Sequence, residues 1–256
     1  ENIFSTFVKD SAMAHLNKTG FLNTNFEVTF LIEKAKIISE ITGGQFDITV
    51  GPLTKIWKQA LTKKELPKEE DIKAAIKLVG FDKIYIDRKN NTIKFMEKGM
   101  QIDLGAIAKG YAVDLAVKEL RRRGIDSAIV NAGGDMYCLG SKFRQPWRVG
   151  IQHPRKREKL MTTLELSDLA VATSGDYEQY IEIDGKRYSH IINPQTGYPV
   201  DNEVISVTVI AKDALSADVA ATSVFVLGKE KGMKVFSNYP GVEKITVITK
   251  QDVQDN

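Results

Sequence analysis

An aspartate and a threonine stand four residues apart in a stretch that is otherwise small or apolar, "ALSADVAATSVFVLG" at 214–228. Residues four apart lie on the same face of a helix, so Asp218 and Thr222 would point the same way. A carboxylate among alanines and valines is costly to bury unless it is paired or binds a cation. Carboxylate and hydroxyl oxygens suit Mg²⁺, which keeps waters or phosphate oxygens among its ligands. The alternative is a buried Asp218 that accepts hydrogen bonds from backbone amides.

A second segment, "IDLGAIAKGYAVD", combines a helix start with a lysine. Its pattern predicts a strand that ends at Asp103, a turn through Gly105, and a helix with Lys109 and Gly110 in its early turns. Free N–H groups at a helix N-terminus attract anions, and the lysine adds positive charge, so a phosphate could bind here. The segment matches neither a Walker loop nor GxGxxG, and the alternative is an ordinary solvated helix lysine.

Paired glycines mark a third segment, "NAGGDMYCLG" at 131–140. Gly133 and Gly134 follow a predicted strand, where glycine allows positive φ or a close backbone approach to a ligand. Asp135 would then lie at the turn. A glycine bulge or a hairpin explains the same residues without a ligand.

Two loop-like segments carry the remaining polar residues of interest. "QFDITVGPL" places Gln45 and Asp47 beside Phe46 in a glycine-flanked loop before a predicted helix, although an ordinary helix-to-helix loop would have the same composition. "RYSHIINPQTGYPV" carries His190, one of three histidines, at the end of a predicted strand and before an Asn-Pro and Thr-Gly turn. This imidazole either belongs to a site or only bonds to the turn.

The elements that would position these residues alternate between helix and strand. Helical periodicity dominates 1–80, extended patterns follow over 83–104, and a long helix occupies 105–124. Short strands fill 127–211, and a helical region over 213–237 precedes a last strand. Interleaved helices and antiparallel-looking strands predict an α+β fold rather than a doubly wound sheet.

Two of these predictions depend on particular residues. Thr24, three residues before Glu27, has the spacing of a capping box. The apolar stripe of the helix that it would begin consists of Val28, Leu31, Ile32, Ala35, Ile38 and Ile41. The dipeptide at 184–185, Asp-Gly, predicts a hairpin between the strands on either side.

Composition excludes several classes of protein. The 256 residues are 43% hydrophobic and 27% charged with a net charge of +3, which is ordinary for a globular chain. The basic residues are scattered, and the densest cluster, 121–123, precedes Gly124, where positive charge suits a helix C-terminus, so nucleic-acid binding is not expected. A single cysteine excludes internal disulfides, and no apolar run approaches a membrane span. Since the sequence begins with Glu, we expect that a leader was removed.

Taken in order, seven segments resemble the ApbE family of FAD:protein FMN transferases. The matching segments are "FSTF" (4–7), "GGQFDITVGPL" (43–53), "DLGAIAKGYAVD" (103–114), "NAGGD" (131–135), "ATSGDYEQY" (172–180), "HIINPQTGYP" (190–199) and "ADVAATSVFVLG" (217–228). No single segment is decisive, but the ordered set spans nearly the whole chain.

The resemblance implies an α+β enzyme of ApbE-like (T-fold-like) architecture, a single domain over 1–256. Such an enzyme would use Mg²⁺ and FAD, transfer the FMN part of FAD to a Thr or Ser hydroxyl of an acceptor flavoprotein through a phosphoester bond, and release AMP. The resemblance also implies export to the cell envelope, with membrane attachment only through a lipid anchor outside this sequence.

The resemblance assigns residues to three roles. The metal ligands would be Ala106, Asp218 and Thr222. Flavin nucleotide contacts would be made by Phe7, Gln45, Phe46, Asp47, Asp103, Lys109 and Ile192, and the matching segments add Gly133, Gly134 and Ser174 as further candidates. For catalysis, our candidates are His190 and Lys109. Phe7 departs from the family, which usually has Tyr at this position, so stacking on the flavin is kept while a hydroxyl is lost.

The implied chemistry requires a base and a group that stabilises negative charge, and it leaves two alternatives to a transferase open. Free histidine has a pKa near neutrality, so His190 is the candidate base for the acceptor hydroxyl, and Lys109 would stabilise charge on the leaving AMP. Water in place of the acceptor would make the enzyme an FAD pyrophosphatase. A non-catalytic protein that stores FAD is the third interpretation, although a binder has no need of a metal at the scissile bond.

Overall fold

The structure is a computed structural model that describes residues 3–5, 8–156, 158–178, 180–183 and 185–254. The helices are α1 (Ala12–Thr19), α2 (Phe26–Ile41), α3 (Gly51–Lys63), α4 (Glu69–Ile76), α5 (Ala108–Arg122), α6 (Ala214–Leu227), α7 (Lys229–Phe236) and α8 (Lys250–Gln254). The strands are β1 (Phe21–Asn23), β2 (Ile84–Asp87), β3 (Thr92–Phe95), β4 (Ala128–Ala132), β5 (Asp135–Leu139), β6 (Trp147–Gln152), β7 (Leu160–Leu166), β8 (Leu169–Gly175), β9 (Tyr180–Ile183), β10 (Lys186–Ser189), β11 (Val204–Ala211) and β12 (Val242–Thr249). Mixed helices and antiparallel sheets confirm the α+β prediction.

The chain divides into two compact units, of which the first comprises Glu1–Ala106 and Tyr180–Asp201. It holds a three-stranded antiparallel sheet in the order β1-β3-β2 and the β9–β10 hairpin. The hairpin confirms the Asp-Gly prediction, and Gly185 has φ +74° at its turn. Asp184 lies outside the described residues. The single-domain prediction over 1–256 stays a prediction.

Helices α3 and α4 enclose a buried apolar cluster in the first unit. Its members are Leu53, Trp57, Ala60, Ile72, Ala75, Ile183 and Ile192. Helix α3 begins at Gly51 followed by Pro, whose fixed φ suits the first helical turn. The indole N–H of Trp57 donates to the carbonyl of Gly197 at 2.9 Å, which ties the 193–199 turn to this core.

Three predictions for the first unit need correction. Helix α2 is capped by Asn25, whose side chain accepts from the amide of Val28, so the capping box at Thr24 was one residue early. Ile41 ends the predicted buried stripe but is 42% exposed, because the helix ends at that residue. The predicted strand over 100–104 is reduced to one parallel bridge between Val50 and Gln101.

The second unit comprises Ile107–Gln179 and Asn202–Asn256 and is built on a five-stranded sheet in the order β12-β11-β8-β5-β4. Neighbouring strands in it are antiparallel. All eight residues of β11 are buried, as expected for a central strand with both faces covered. Helix α6 packs on β8 and β11, and α5 packs on α6.

Helix α6 is buried on nearly all sides, as its sequence of small and apolar residues requires. The predicted helical region over 213–237 is two helices, because Gly228 adopts φ +81° between α6 and α7. Gly110 of α5 faces α6 closely: a Cβ there would lie 2.7 Å from the carbonyl carbon of Ala214. Only glycine permits this approach of the two helices.

A β6–β7 hairpin completes the second unit and packs one face on the sheet through a cluster that includes Cys138 and Val149. Within the described part of the chain, no helix combines the length and the apolar character needed to cross a membrane.

Candidate functional site

Two carboxylates and a lysine meet in the second unit. Lys109 lies in the first turn of α5, Asp135 is the first residue of β5, and Asp218 lies in the second turn of α6. The Lys109 ammonium forms an ion pair with Asp135 and lies 3.8 Å from Oδ1 of Asp218. The two aspartate side chains are 2% and 4% exposed, whereas the lysine side chain is 45% exposed. This acidic cluster is therefore buried and capped by one partly exposed cation.

Asp218 is held by the backbone of a neighbouring helix. Its Oδ2 accepts a hydrogen bond of 3.0 Å from the amide of Gly110. Burial, and then the neighbouring charge of Asp135, raise the pKa of Asp218 to about 7. The hydrogen bond from the Gly110 amide matches the structural alternative considered for Asp218. It positions the side chain, and the charge of Lys109 offsets the buried carboxylate only in part, since the net shift of its pKa is upward.

Asp135 shares the burial of Asp218, and its charge helps to raise the pKa of that neighbouring carboxyl group. Burial raises the pKa of Asp135, and the charge of Lys109 opposes that shift. For Lys109, burial lowers and the two carboxylates raise the pKa, and the net shift is upward. With both carboxylates ionised, the cluster has one negative charge more than its lysine neutralises.

Asp135 is the functional candidate that the sequence indicated only weakly. Its position directly after two glycines at a strand end suggested a turn residue, and its distance of 26 positions from Lys109 hid the ion pair.

Thr222 lies one turn after Asp218, as the four-residue spacing predicts. Its hydroxyl is within 3.1 Å of the Ser174 hydroxyl on β8. Thr222 is 8% exposed and Ser174 is partly buried. A pair of hydroxyls therefore lies beside the helix turn that carries Asp218.

The N-terminus of α6 is fixed by two aspartates. Asp114 of α5 accepts hydrogen bonds from the amides of Ala214 at 2.7 Å and Leu215 at 2.9 Å. Asp213 caps the helix through the amide of Ser216 at 2.7 Å. Because Asp114 and Lys109 share α5, this helix carries both the lysine and the anchor of α6. Sequence reasoning assigned no role to Asp114, since its partners lie 100 positions away.

The predicted contact residues Gly133 and Gly134 form the turn between β4 and β5, with φ of +63° and +102°. The amide of Gly134 donates to the side chain of Asn131 at 2.9 Å. The hairpin interpretation of these glycines is correct, and their predicted contact with a nucleotide stays a prediction.

In the first unit, the loop after α2 contacts the turn that follows β10. Gln195 donates through its amide nitrogen to the carbonyl of Gly43 at 2.9 Å and accepts from Gln45 at 3.2 Å. Two of the segments that carry the resemblance are thus joined, although 150 positions separate the two glutamines.

Phe46 and Asp47, predicted as flavin contacts, have structural partners in the first unit. Phe46 is 3% exposed and belongs to the core. Asp47 accepts from both the amide and the hydroxyl of Thr49 at 2.7 Å, and burial raises its pKa in spite of these bonds. Both residues shape the loop, and their role toward the flavin remains a prediction.

Asp103 and Ala106 lie close to the end of the first unit's first segment. The amide of Asp103 donates to the carbonyl of Ile48 at 2.7 Å, and its side chain accepts from Gly105 at 2.9 Å. Lys58 lies 3.8 Å from its carboxylate. The role of Ala106 as a metal ligand stays a prediction.

His190 follows β10 directly and is exposed. Ile192 is 7% exposed, pairs with Pro199 in an isolated bridge, and packs in the α3–α4 core. The turn at 193–199 is therefore attached to the α3–α4 core. Phe7 lies outside the described residues.

These features define a class: an α+β protein whose antiparallel sheet supports a buried pair of carboxylates, with a lysine and paired hydroxyls beside it. The chain belongs to the ApbE family, whose family model matches residues 1–246. This confirms the recognition made from the seven segments.

Curated relatives carry one activity. The chain is 36% identical over 224 residues to an FAD:protein FMN transferase of Klebsiella pneumoniae, covering 87% of this chain and 69% of the relative. It is 33% identical to an FAD:protein FMN transferase of Treponema pallidum, covering 99% of this chain and 75% of the relative.

Solved structures of ApbE proteins have the same fold as this chain. The ApbE protein of Thermotoga maritima superposes with a TM-score of 0.88 at 36% identity, covering 98% of this chain and 82% of that one. Flavin transferase ApbE of Vibrio cholerae gives a TM-score of 0.81 at 31% identity, covering 99% and 85%. The fold is therefore that of ApbE flavin transferases.

Proposed function

We propose that this protein is an enzyme, an FAD:protein FMN transferase that moves the FMN part of FAD onto a Thr or Ser hydroxyl of an acceptor flavoprotein and releases AMP. The observation that carries the proposal is the buried cluster of Asp135, Asp218 and Lys109 beside the Thr222 and Ser174 hydroxyls. It combines oxygen donors for a cation with a positive group for a phosphate, which is what cleavage of a pyrophosphate requires.

The donor chemistry fits Mg²⁺. Within the part of the chain that the structure describes, no group of three or more His, Cys, Asp or Glu residues could hold a metal by itself. Mg²⁺ does not need one, because it is commonly held by one or two carboxylates together with waters and substrate phosphates. Asp218 and Thr222 would hold it, with the carbonyl of Ala106 as the further ligand implied by the family.

Charge supports a divalent cation in particular. When both carboxylates are ionised, the cluster is one unit negative against its single lysine, and such a buried net charge is unfavourable. A divalent cation would turn this into one unit positive, which matches the negative pyrophosphate of FAD. When bound, Mg²⁺ would act as a Lewis acid that stabilises charge on the pyrophosphate oxygens.

The chain's own residues would divide the remaining work. The Lys109 ammonium, together with the amides that precede Gly110 at the start of α5, would bind phosphate oxygens and stabilise the leaving AMP. His190 would take the proton from the acceptor hydroxyl as it attacks phosphorus. The remaining predicted contacts, from Phe7 through Ile192, would bind the flavin nucleotide.

Mass spectrometry of an acceptor flavoprotein incubated with FAD, Mg²⁺ and this protein tests the proposal. We expect a covalent FMN adduct on a Thr or Ser and an equal amount of AMP. Rapid AMP release without an acceptor, and no adduct with one, would instead identify an FAD pyrophosphatase. Tightly retained FAD without turnover would identify a storage protein.

Variants separate the assigned roles in the same assay. Asp218→Asn keeps the shape of the side chain but removes its charge, and it should abolish Mg²⁺-dependent transfer while the protein stays folded. Asp126→Asn, at an exposed aspartate of the same unit, is the matched control. If His190→Ala transfers FMN at the wild-type rate with saturating acceptor, the histidine is not the base.

Family resemblance also supports a location outside the cytoplasm. We propose that the protein acts in the cell envelope, where a lipid anchor outside this sequence would attach it. Cell fractionation followed by immunodetection tests this, and recovery in the cytoplasmic fraction would contradict it.

A further inference from the structure

Lys109 occupies an unusual position, because its ammonium faces both members of the buried carboxylate pair. It forms an ion pair with Asp135 and lies 3.8 Å from Oδ1 of Asp218. The distance to Asp218 is that of an ion pair without a hydrogen bond. Lys109 therefore forms a hydrogen-bonded ion pair with Asp135 and a longer ion pair with Asp218.

A lysine ammonium and a divalent cation compete for the same carboxylate. Mg²⁺ binds oxygens at about 2.0–2.1 Å, so an ion on Asp218 would lie within a few Å of the present Nζ position. Two cations at that separation repel each other, and the repulsion is screened only weakly where the surroundings are buried.

We propose that Lys109 is the resident counter-ion of Asp218, which a divalent cation must displace, and that Asp135 is the positioning residue that retains the displaced ammonium beside the site. This inference rests on the proposed function in one respect, that Asp218 is a cation ligand. It adds a second role for Lys109 and a role for Asp135.

The burial of Asp135 explains why the ammonium would stay nearby. Its side chain is 2% exposed, and the loss of the lysine would leave its charge without a partner. The lysine side chain is 45% exposed and long enough to turn about Asp135 toward solvent or toward a phosphate. Displacement would thus give up the contact with Asp218 and keep the pair with Asp135.

This arrangement couples the cation to the nucleotide. In the free protein the cation must displace the ammonium without compensation, so it binds weakly. With a phosphate bound, the ammonium gains a new partner, and the cation enters more easily. Because coupling between two ligands is reciprocal, each would tighten the binding of the other through Lys109.

Titration calorimetry of the full chain with Mg²⁺ alone, without nucleotide, tests the inference. Lys109→Met and Lys109→Gln both remove the charge, so each should bind Mg²⁺ at least about fivefold more tightly than the wild type, the lower end of typical coupling between sites. Lys109→Arg keeps the charge and should show no such gain in Mg²⁺ affinity. Lys118→Met, at an exposed lysine of the same helix, should change nothing.

Asp135→Asn tests the positioning role. Without its anchor, the ammonium would pair with Asp218 alone, so Mg²⁺ should bind more weakly than in the wild type. In the double variant Asp135→Asn with Lys109→Met, the loss should be smaller than in Asp135→Asn, since no ammonium remains to compete.

The outcomes distinguish the two proposals. If the wild type binds Mg²⁺ and neither neutral variant binds it more tightly while circular dichroism matches that of the wild type, the counter-ion role is wrong and the proposed function stands. If no variant binds Mg²⁺ and the wild type does not bind it, both the inference and the assignment of Asp218 as a cation ligand fail.

Discussion

Asp218 shows how a single side chain can be both a structural and a chemical element. Its Oδ2 is bound by the amide of Gly110, which fixes its direction, while its burial and its neighbour Asp135 make its ionisation unfavourable. A group in this state gains from any cation that enters. The structural and the functional interpretations of the "SADVAAT" segment are therefore compatible.

Thr222 provides a sharper test at the same scale, because its hydroxyl and its shape can be changed separately. Thr222→Val keeps the volume and removes the oxygen, so it should lower FMN transfer by roughly 10- to 100-fold and weaken Mg²⁺ binding. Thr222→Ser keeps the oxygen and should retain most of the activity. Rates of FMN adduct formation measure both, and equal rates for the valine and serine variants would contradict a ligand role.

Helices α5 and α6 act together, and their close approach at Gly110 positions the acidic cluster. A Cβ at this position would lie 2.7 Å from the carbonyl carbon of Ala214 and 2.8 Å from the Cα of Leu215, both backbone atoms. The glycine therefore sets the separation of the helix that carries Lys109 from the helix that carries Asp218.

Gly110→Ala should therefore destabilise the protein by about 2–3 kcal/mol, the upper part of the range for overpacking, and weaken Mg²⁺ binding. Gly124→Ala, at the other end of α5, is the control, because a Cβ added there would meet no atom within 4 Å. Its φ of +76° should still make the substitution cost about 1 kcal/mol, but Mg²⁺ binding should be retained. Urea denaturation and calorimetry measure the two effects. Equal Mg²⁺ affinities in the two variants would show that the helix separation does not matter.

Asp114 on α5 holds the N-terminus of α6, so its removal should destabilise that helix. Asp114→Ala leaves the amides of Ala214 and Leu215 without their acceptor, so a loss of about 1–3 kcal/mol is expected. Asp114→Asn keeps an oxygen and should cost less. The free energy of unfolding measured in urea compares the two, and an alanine variant as stable as the wild type would exclude an anchoring role.

At the scale of the whole molecule, the raised pKa values of two aspartates make the free energy of unfolding depend on pH. The pKa of Asp218 is about 7 and that of Asp114 about 6 in the folded protein, against 3.8 for an ordinary aspartate. Between these values the folded state binds protons that the unfolded state has lost. Unfolding then releases protons, and stability falls as pH rises.

We therefore expect the metal-free protein to lose stability from about pH 4 to about pH 7, with at most about 1.4 kcal/mol for each unit of pKa difference. Urea denaturation in EDTA at several pH values measures the slope. The Asp218→Asn variant has no carboxyl group to titrate at this position, so its free energy of unfolding should fall less steeply with pH. Adding Mg²⁺ at pH 8 should raise the free energy of unfolding of the wild type but not that of the variant. An unchanged slope in the variant would mean that Asp218 is ionised throughout this range.

Local patterns predicted much of the fold. The Asp-Gly hairpin, the α5 helix and the helix bearing Asp218 and Thr222 were correct, because they depend on neighbouring residues. The errors occurred where a local pattern met a tertiary constraint. Residues 100–104 have a strand-like pattern, but beyond the single bridge at Gln101 they take part in no sheet.

The sequence by itself determined the family, the α+β class and the four-residue spacing of Asp218 and Thr222, since each depends on residue types and short spacings. Only the tertiary structure brought Asp135 and Lys109 to Asp218 and Asp114 to the start of α6. These partners are separated by 26 to 109 positions, and no periodicity connects them. Their proximity follows from the packing of α5 on α6 and on the sheet, and it makes the buried carboxylate pair a charged site.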